Sequence, residues 1–526
     1  MGKTHQSLFL YFISLLLIGL GYLCVLPPFE GFDETAHYSS IKQLADSNTV
    51  PFYGQSKIDR FVQQYQGPLP FTSGKPPFDK GMVYSTFFAQ HSLVEKYRAL
   101  YHKAPLPYQK SDTLNWEAQH PPFYYALLGQ IAKLINGQSF ITQFFVLRFV
   151  SYLFALGGIA LALLAFRQSR HTTISTYAMI GFLTYPFLFP MFFPEFLRLG
   201  NDSLCLFWMG LLAFNIMRWQ DKPSWRNSIA IGIALGLGLL TKLLFLPVFA
   251  GMGIYFCMRF YREPTTYSQK IYQLCCLFLP AILLGSSWYI AQLVMNGHII
   301  NSSDTTELIN QGGFLKNMAQ HFSLAPMLKG FVSPIGTFIW AGTWSLVLPS
   351  YFFYFPFLLS LVFILCHYIY RLTKTPISDL LWLPLLVIVF FAAGLIIHVV
   401  LSIALLGIGN TPGWYLHVLL PLTAPIVGLS IASLLKQFYG KIVLYVFLIY
   451  AFLFQCIMFW SEISLYAGCA IKNDNHHFLF NASHYCLDQW SLVINNISVY
   501  GCPVLGLVCY AAGLLLLLKT CLHNMR

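Results

Sequence analysis

Charge is what this chain lacks. Only 10% of its 526 residues are Asp, Glu, Lys or Arg, where a soluble domain carries about 25%. That is too little polar surface to face water all round, and it excludes a soluble enzyme. Hydrophobic content of 57% and a mean hydropathy of +0.61 exclude a disordered or fibrous chain as well. The twelve cysteines include no C-x-x-C pair and no zinc-type spacing. Most lie in or beside apolar runs, where Cys behaves as a small hydrophobe. Only Cys469 and Cys486 share a polar loop, and an oxidising compartment would allow them to pair. No internal repeat is visible, which counts against the inverted-repeat design of many secondary transporters.

What the chain has is long apolar runs, the mark of a polytopic membrane protein. The first covers residues 7–26, follows Lys3 and has no small-residue cleavage site, so it reads as an uncleaved span with a cytoplasmic N-terminus. Further spans fall at about 140–166, 172–193, 203–217, 271–293, 351–370, 379–401, 414–435, 441–460 and 494–518. The run 227–260 is too long for one span, and Arg226 and Arg259 at its ends both belong inside, so it reads as two short crossings turning near 241–243. By the same parity the apolar stretches 121–135 and 331–349 lie on the outer surface. The expectation is an all-α protein of about 12 transmembrane helices with both termini inside. Residues 1–260, with an extracytoplasmic loop 27–139 bearing interfacial helices, form one module. Residues 261–526, with outer loops 294–350 and 461–493, form the second.

This topology places fifteen basic residues and three acids on the cytoplasmic side, which is the whole net charge of +12. The basic balance is therefore a topology signal and leaves nothing to assign to nucleic acid. Sixteen of the nineteen acids fall outside or within spans, so the chemistry is expected on the extracytoplasmic face.

The sharpest feature there is Phe32-Asp33-Glu34-Thr35-Ala36-His37-Tyr38, just after the first span. Asp33 either caps the helix that follows or points into a cleft as a general base toward a hydroxyl or amine acceptor. Gln119-His120-Pro121-Pro122 reads as the entry turn of a membrane-surface helix. Arg148 lies roughly 12 Å into its span at 1.5 Å per residue, Arg198 sits in the outer loop 195–202, and Lys242 at the outer turn of the short crossings. Intramembrane cations point to function. An internal salt bridge would explain Arg148 and snorkelling would explain Lys242, while the phosphate of a lipid substrate would explain all three together. Glu34-x-x-His37 and Glu117-x-x-His120 have a di-metal spacing but lack the two further glutamates such sites need. The ligand count indicates no metal or other cofactor, leaving room only for a single divalent ion near Asp33. Asn301, Asn481 and Asn496 open N-glycosylation patterns.

Taken together, these residues resemble the GT-C glycosyltransferases. Asp33-Glu34 with His37, then His120-Pro121-Pro122, are similar to the first-loop motifs of the protein O-mannosyltransferases. Arg148-x-x-Ser151 and Thr241-Lys242 after a glycine-rich span also resemble the superfamily. Asn201-Asp202-Ser203-Leu204 and Gly413-Trp414-Tyr415-Leu416 are similar to a bacterial branch, in which an Arg often stands where this chain has Trp414. The resemblance covers residues 1–260 well and the rest weakly.

It implies an inverting transfer of sugar from a polyprenyl-phosphate carrier to a lipid, glycan or protein acceptor, in a bacterial inner membrane with a periplasmic active face. Asp33 would be the base and Glu34 its second. Lys242, Arg198 and Arg148 would hold the phosphate. His37, His120, Asn201, Asp202 and Tyr415 would shape the substrate pocket, and Trp340, Trp344, Trp414 and Tyr415 would either stack on sugar or prenyl chain or anchor the chain at the membrane interface. A flippase of lipid-linked saccharides would instead line a midplane path with charge, and a non-catalytic envelope scaffold would tolerate loss of Asp33.

Overall fold

Where no water reaches the backbone, each amide must bond within its own segment, so the apolar runs fold as helices. The computed structural model describes residues 3–69, 78–79, 81–170, 172–262, 266–297, 307–308, 310–374, 381–409, 411–470 and 486–525. Among these, eight helices are long and apolar enough to cross a membrane, or nine if the bent pair Phe314–His321 and Leu324–Ile339 is one span. Four more helices, Thr172–Leu188, Asp202–Asp221, Trp225–Leu239 and Phe245–Arg262, coincide with the remaining four expected crossings. The break between the last two falls at residues 240–244, where the basic residues at both ends of the run called for a turn. The chain is an all-α polytopic membrane protein.

Between lipid-embedded helices no hydrophobic force drives contact, and small residues let backbones touch. A Cβ on Gly210 would lie 2.0 Å from the carbonyl oxygen of Gly158, so helices Asp202–Asp221 and Phe140–Gln168 run backbone against backbone. A Cβ on Gly428 would lie 1.7 Å from the oxygen of Tyr177, which locks Leu420–Leu435 to Thr172–Leu188 in the same way. These helices carry or adjoin Arg148, Asp202 and Tyr415, so this packing fixes where each of those side chains lies.

Residues between the first two spans form a polar module on one end of the bundle. Helix Glu34–Ser47 is almost wholly buried. Strand Lys57–Asp59 pairs antiparallel with Lys110–Leu114, and Pro68–Leu69 runs parallel to Met82–Val83. The stretch expected to lie on the surface becomes the twelve-residue helix Phe123–Leu134, started by Pro121 and Pro122. Asn115 ties the module together: its Nδ2 donates to Ala36 O and Ser40 Oγ while its Oδ1 accepts from Glu117 N. At the far end of the chain Cys502 N donates to Cys24 O, which sets the start of the last span beside the end of the first. Cys469 and Cys486 are joined in a disulfide. Asn301 and Asn481 lie outside the described residues, and the Asn496 amide donates to Ala467 O at 2.8 Å.

Candidate active site

Helix Glu34–Ser47 begins without a side-chain cap. Asp33 precedes it in the left-handed region, at φ 59° and ψ 11°, and its carboxylate bonds no amide of the helix start. The capping alternative is therefore not taken up. A non-glycine residue held there costs roughly 1–2 kcal/mol, and such strain concentrates where function over-determines geometry. Oδ1 instead accepts from the indole Nε1 of Trp116 at 3.1 Å.

Its neighbour is committed elsewhere. Glu34 is fully buried and accepts from Arg148 Nε at 2.7 Å, Arg148 Nη2 at 2.5 Å, Gly31 N at 2.9 Å and Leu199 N at 2.9 Å. Arg148 also donates to Leu26 O and Pro27 O, both at 2.7 Å, so four of its five N–H groups are used. These contacts depart from the roles expected of both residues. Glu34 faces away from Asp33 and has no lone pair left for an acceptor, and Arg148 has no fork free for a phosphate. The salt-bridge reading of Arg148 is the one its geometry fits.

The other cations form a second network. Arg198 donates to both Glu195 oxygens at 3.1 and 2.7 Å, to Asp202 Oδ2 at 2.9 Å and to Phe32 O at 3.0 Å. Lys242 Nζ bonds both oxygens of Asp202 at 2.9 and 2.8 Å, and stands 4.5 Å from the centre of the Tyr415 ring. Arg198 is thus an anchor that joins the Asp33 turn to Asp202. Among the described residues Asp202 is the carboxylate that pairs with Lys242, which retains one N–H beyond the two it gives that carboxylate.

Glu117 enters the site from the 3-10 turn Trp116–Gln119. Its Oε2 lies 3.2 Å from His120 Nε2 and 3.5 Å from His37 Nε2, and His37 Nδ1 bonds the Tyr125 hydroxyl at 2.9 Å. Burial, and then the Asp33 charge, push the Glu117 carboxyl up to about 8. Burial drives both imidazoles down, His120 to about 3. The sequence showed this glutamate only as half of a metal-like spacing. What reveals it is the fold, which turns Trp116 and Glu117 toward Asp33 together. Among the described residues no set of three or more His, Cys, Asp or Glu is arranged to hold a metal ion.

Aromatic rings line the rest. Trp414 stacks on Phe32 at 4.2 Å, and Trp344 packs on the same ring at 5.2 Å. Trp340 departs from its expected stacking role: it is fully buried and its Nε1 donates to Val347 O. Asn201 is fully buried, and among the described residues neither end of its amide is bonded, nor is the buried indole N–H of Trp414. An apolar cavity of about 420 Å³ lies alongside, lined among others by Phe338, Tyr368, Val399, Leu416 and Leu419.

No family model and no curated protein matches the chain. Two solved structures are similar to it. ArnT from Cupriavidus metallidurans bound to undecaprenyl phosphate aligns at 13% identity and a TM-score of 0.46, covering 100% of this chain and 78% of that one. The apo state of the same protein aligns at 12% identity and 0.42, covering 99% and 78%.

Proposed function

We propose that this chain is an integral membrane glycosyltransferase that moves a sugar from a polyprenyl-phosphate carrier to an acceptor on the extracytoplasmic side. The observation that carries the reading is the short 3-10 helix Trp414–Leu419. It presents Tyr415 to the Lys242 ammonium on one side, and Leu416 and Leu419 to the apolar cavity on the other. A cation joined through one short helix to an apolar cavity fits a phosphate head on a prenyl tail.

Lys242 takes the donor phosphate with its remaining N–H, oriented by Asp202, which Arg198 fixes in turn. Asp33 is the base. It removes the acceptor proton as the acceptor attacks the anomeric carbon, the sugar–oxygen bond to phosphate breaks, and configuration inverts. The phosphate leaves as a stable anion, so no general acid is needed, unlike glycoside hydrolysis with its two carboxylates. The charge that develops on it is held by a fixed cation in a low-dielectric site. His37, His120, Asn201 and the Phe32–Trp414 face form the walls around the sugar.

Lipid extracts of cells carrying D33N in place of the wild-type chain test the reading. A lost base costs about 10²-fold or more in rate, so unspent carrier-linked sugar should accumulate with protein levels unchanged. Full complementation by D33N without accumulation would remove Asp33 as the base and favour a non-catalytic role.

A further inference from the structure

Five carboxylates lie in and around the site: Asp33, Glu34, Glu117, Glu195 and Asp202. Glu34, Glu195 and Asp202 are each ion-paired, with Arg148, Arg198 and Lys242 respectively. Asp33 and Glu117 have no arginine or lysine within ion-pair distance among the described residues, and they are neighbours through Trp116, which precedes Glu117 and donates to Asp33. Two such neighbours do not both ionise freely, because each charge raises the cost of the other.

Position separates them. Asp33 is half-buried and takes an indole N–H. Glu117 is buried, and its one oxygen meets two imidazoles. The groups that bear on it come from every side: Asp33 at the start of helix Glu34–Ser47 and His37 from within it, His120 from the turn, and Asp202, from its own helix, at a distance. Arg198 and Lys242 act on it from a distance. The Tyr125 hydroxyl bonds its backbone carbonyl at 3.3 Å and fixes the turn.

We propose that Glu117 is the positioning residue of the acceptor base, a neutral carboxyl whose proton is shared with His120 and which leaves Asp33, among the described residues, the one anionic carboxylate of the site with no cation paired to it. Through the adjoining Trp116 the same turn holds Asp33 in its left-handed conformation. The inference rests on the proposed function for what Asp33 does, but not for where the proton sits. The proton stays on the carboxyl because burial holds the His120 imidazole far below Glu117. When Glu117 ionises, at about 8, a second anion stands beside Asp33 and the acceptor no longer meets a single base.

Two measurements on the full chain test this. In infrared spectra of the detergent-purified protein at neutral pH, E117Q should lack a protonated-carboxyl band that the wild type shows. An identical band in both overturns the proposal. In cells, carrier-linked sugar should rise in the wild type as the medium turns alkaline, stay low at both pH values in E117Q, and be high at both in D33N. E117A should accumulate it even at neutral pH, and E117Q should rescue that loss. Accumulation in E117Q at neutral pH equal to D33N would make ionised Glu117 the working group and contradict the proposal. If D33N itself accumulates nothing, the transferase reading falls, while the infrared band still decides the state of Glu117.

Discussion

Arg148 and Glu34 bind one another in a buried two-bonded pair, with guanidinium nitrogens 2.7 and 2.5 Å from the two carboxylate oxygens. The pair clips the start of helix Glu34–Ser47 to the second span, and the same guanidinium holds the carbonyls of Leu26 and Pro27. Everything that follows Phe32 is oriented from this clip.

Removing one partner leaves the other charge buried and unpaired, which costs about 3–5 kcal/mol. R148M and E34L should each unfold at a markedly lower temperature than the wild type. The double variant should recover part of the loss, since no charge is left unpaired, while the carbonyls of Leu26 and Pro27 and the amides of Gly31 and Leu199 still lose their partners. Thermal melts followed by tryptophan fluorescence check this. Equal loss in the double variant would mean the pair is not what holds the helix.

Trp116 acts on Asp33 through one hydrogen bond. W116F removes it and keeps the ring. A hydrogen bond to a charged group is worth about 1.5–3 kcal/mol, so the rate of sugar transfer should fall about tenfold or more. Carrier-linked sugar in lipid extracts should rise part of the way to the D33N level, and polyprenyl phosphate should bind as in the wild type.

The polar module should respond to pH through Asp59. Its Oδ1 accepts from Phe61 N and Gln109 N, while its buried Oδ2 has no partner among the described residues. Burial raises the carboxyl to about 6 from an ordinary value near 3.8. The raised value means that the folded state favours the neutral acid. The associated stability is full below about 3.8 and is lost as pH rises through about 6. Hydrogen exchange in the ribbon Lys57–Asp59 with Lys110–Leu114 should therefore quicken across that interval, and D59N should flatten the change.

Filling the cavity should cost carrier affinity alone. Val399 and Leu419 line it on separate helices. V399W or L419W should weaken binding of polyprenyl phosphate at least tenfold, equivalent to about 1.4 kcal/mol. Binding of a short-chain alkyl phosphate, which needs the cation and not the cavity, should move little.

Much of the fold was legible because lipid imposes it. Apolar runs marked the helices, and Arg226 and Arg259 forced the break that the structure has at 240–244. The site was legible as a collection of residues and not as a circuit. A cation at Arg148 in an apolar run demands a partner, but that partner lies 114 residues away, and no local pattern names it. Asp202 and Lys242 are 40 residues apart and meet because helix Trp225–Leu239 returns the chain to the end where helix Asp202–Asp221 began. Glu117 was hidden for a different reason. Its spacing from His120 imitates a metal ligand set, and only the turn that carries Trp116 to Asp33 shows it as the second carboxyl of the cleft.

Native mass spectrometry of the detergent-purified protein, wild type beside K242M, tests the central claim most directly. Polyprenyl phosphate is supplied to both, and melting temperatures confirm that both are folded. Retention by the wild type and loss by K242M is the predicted result. Equal retention by both, or none by either, would contradict a donor phosphate held at Lys242.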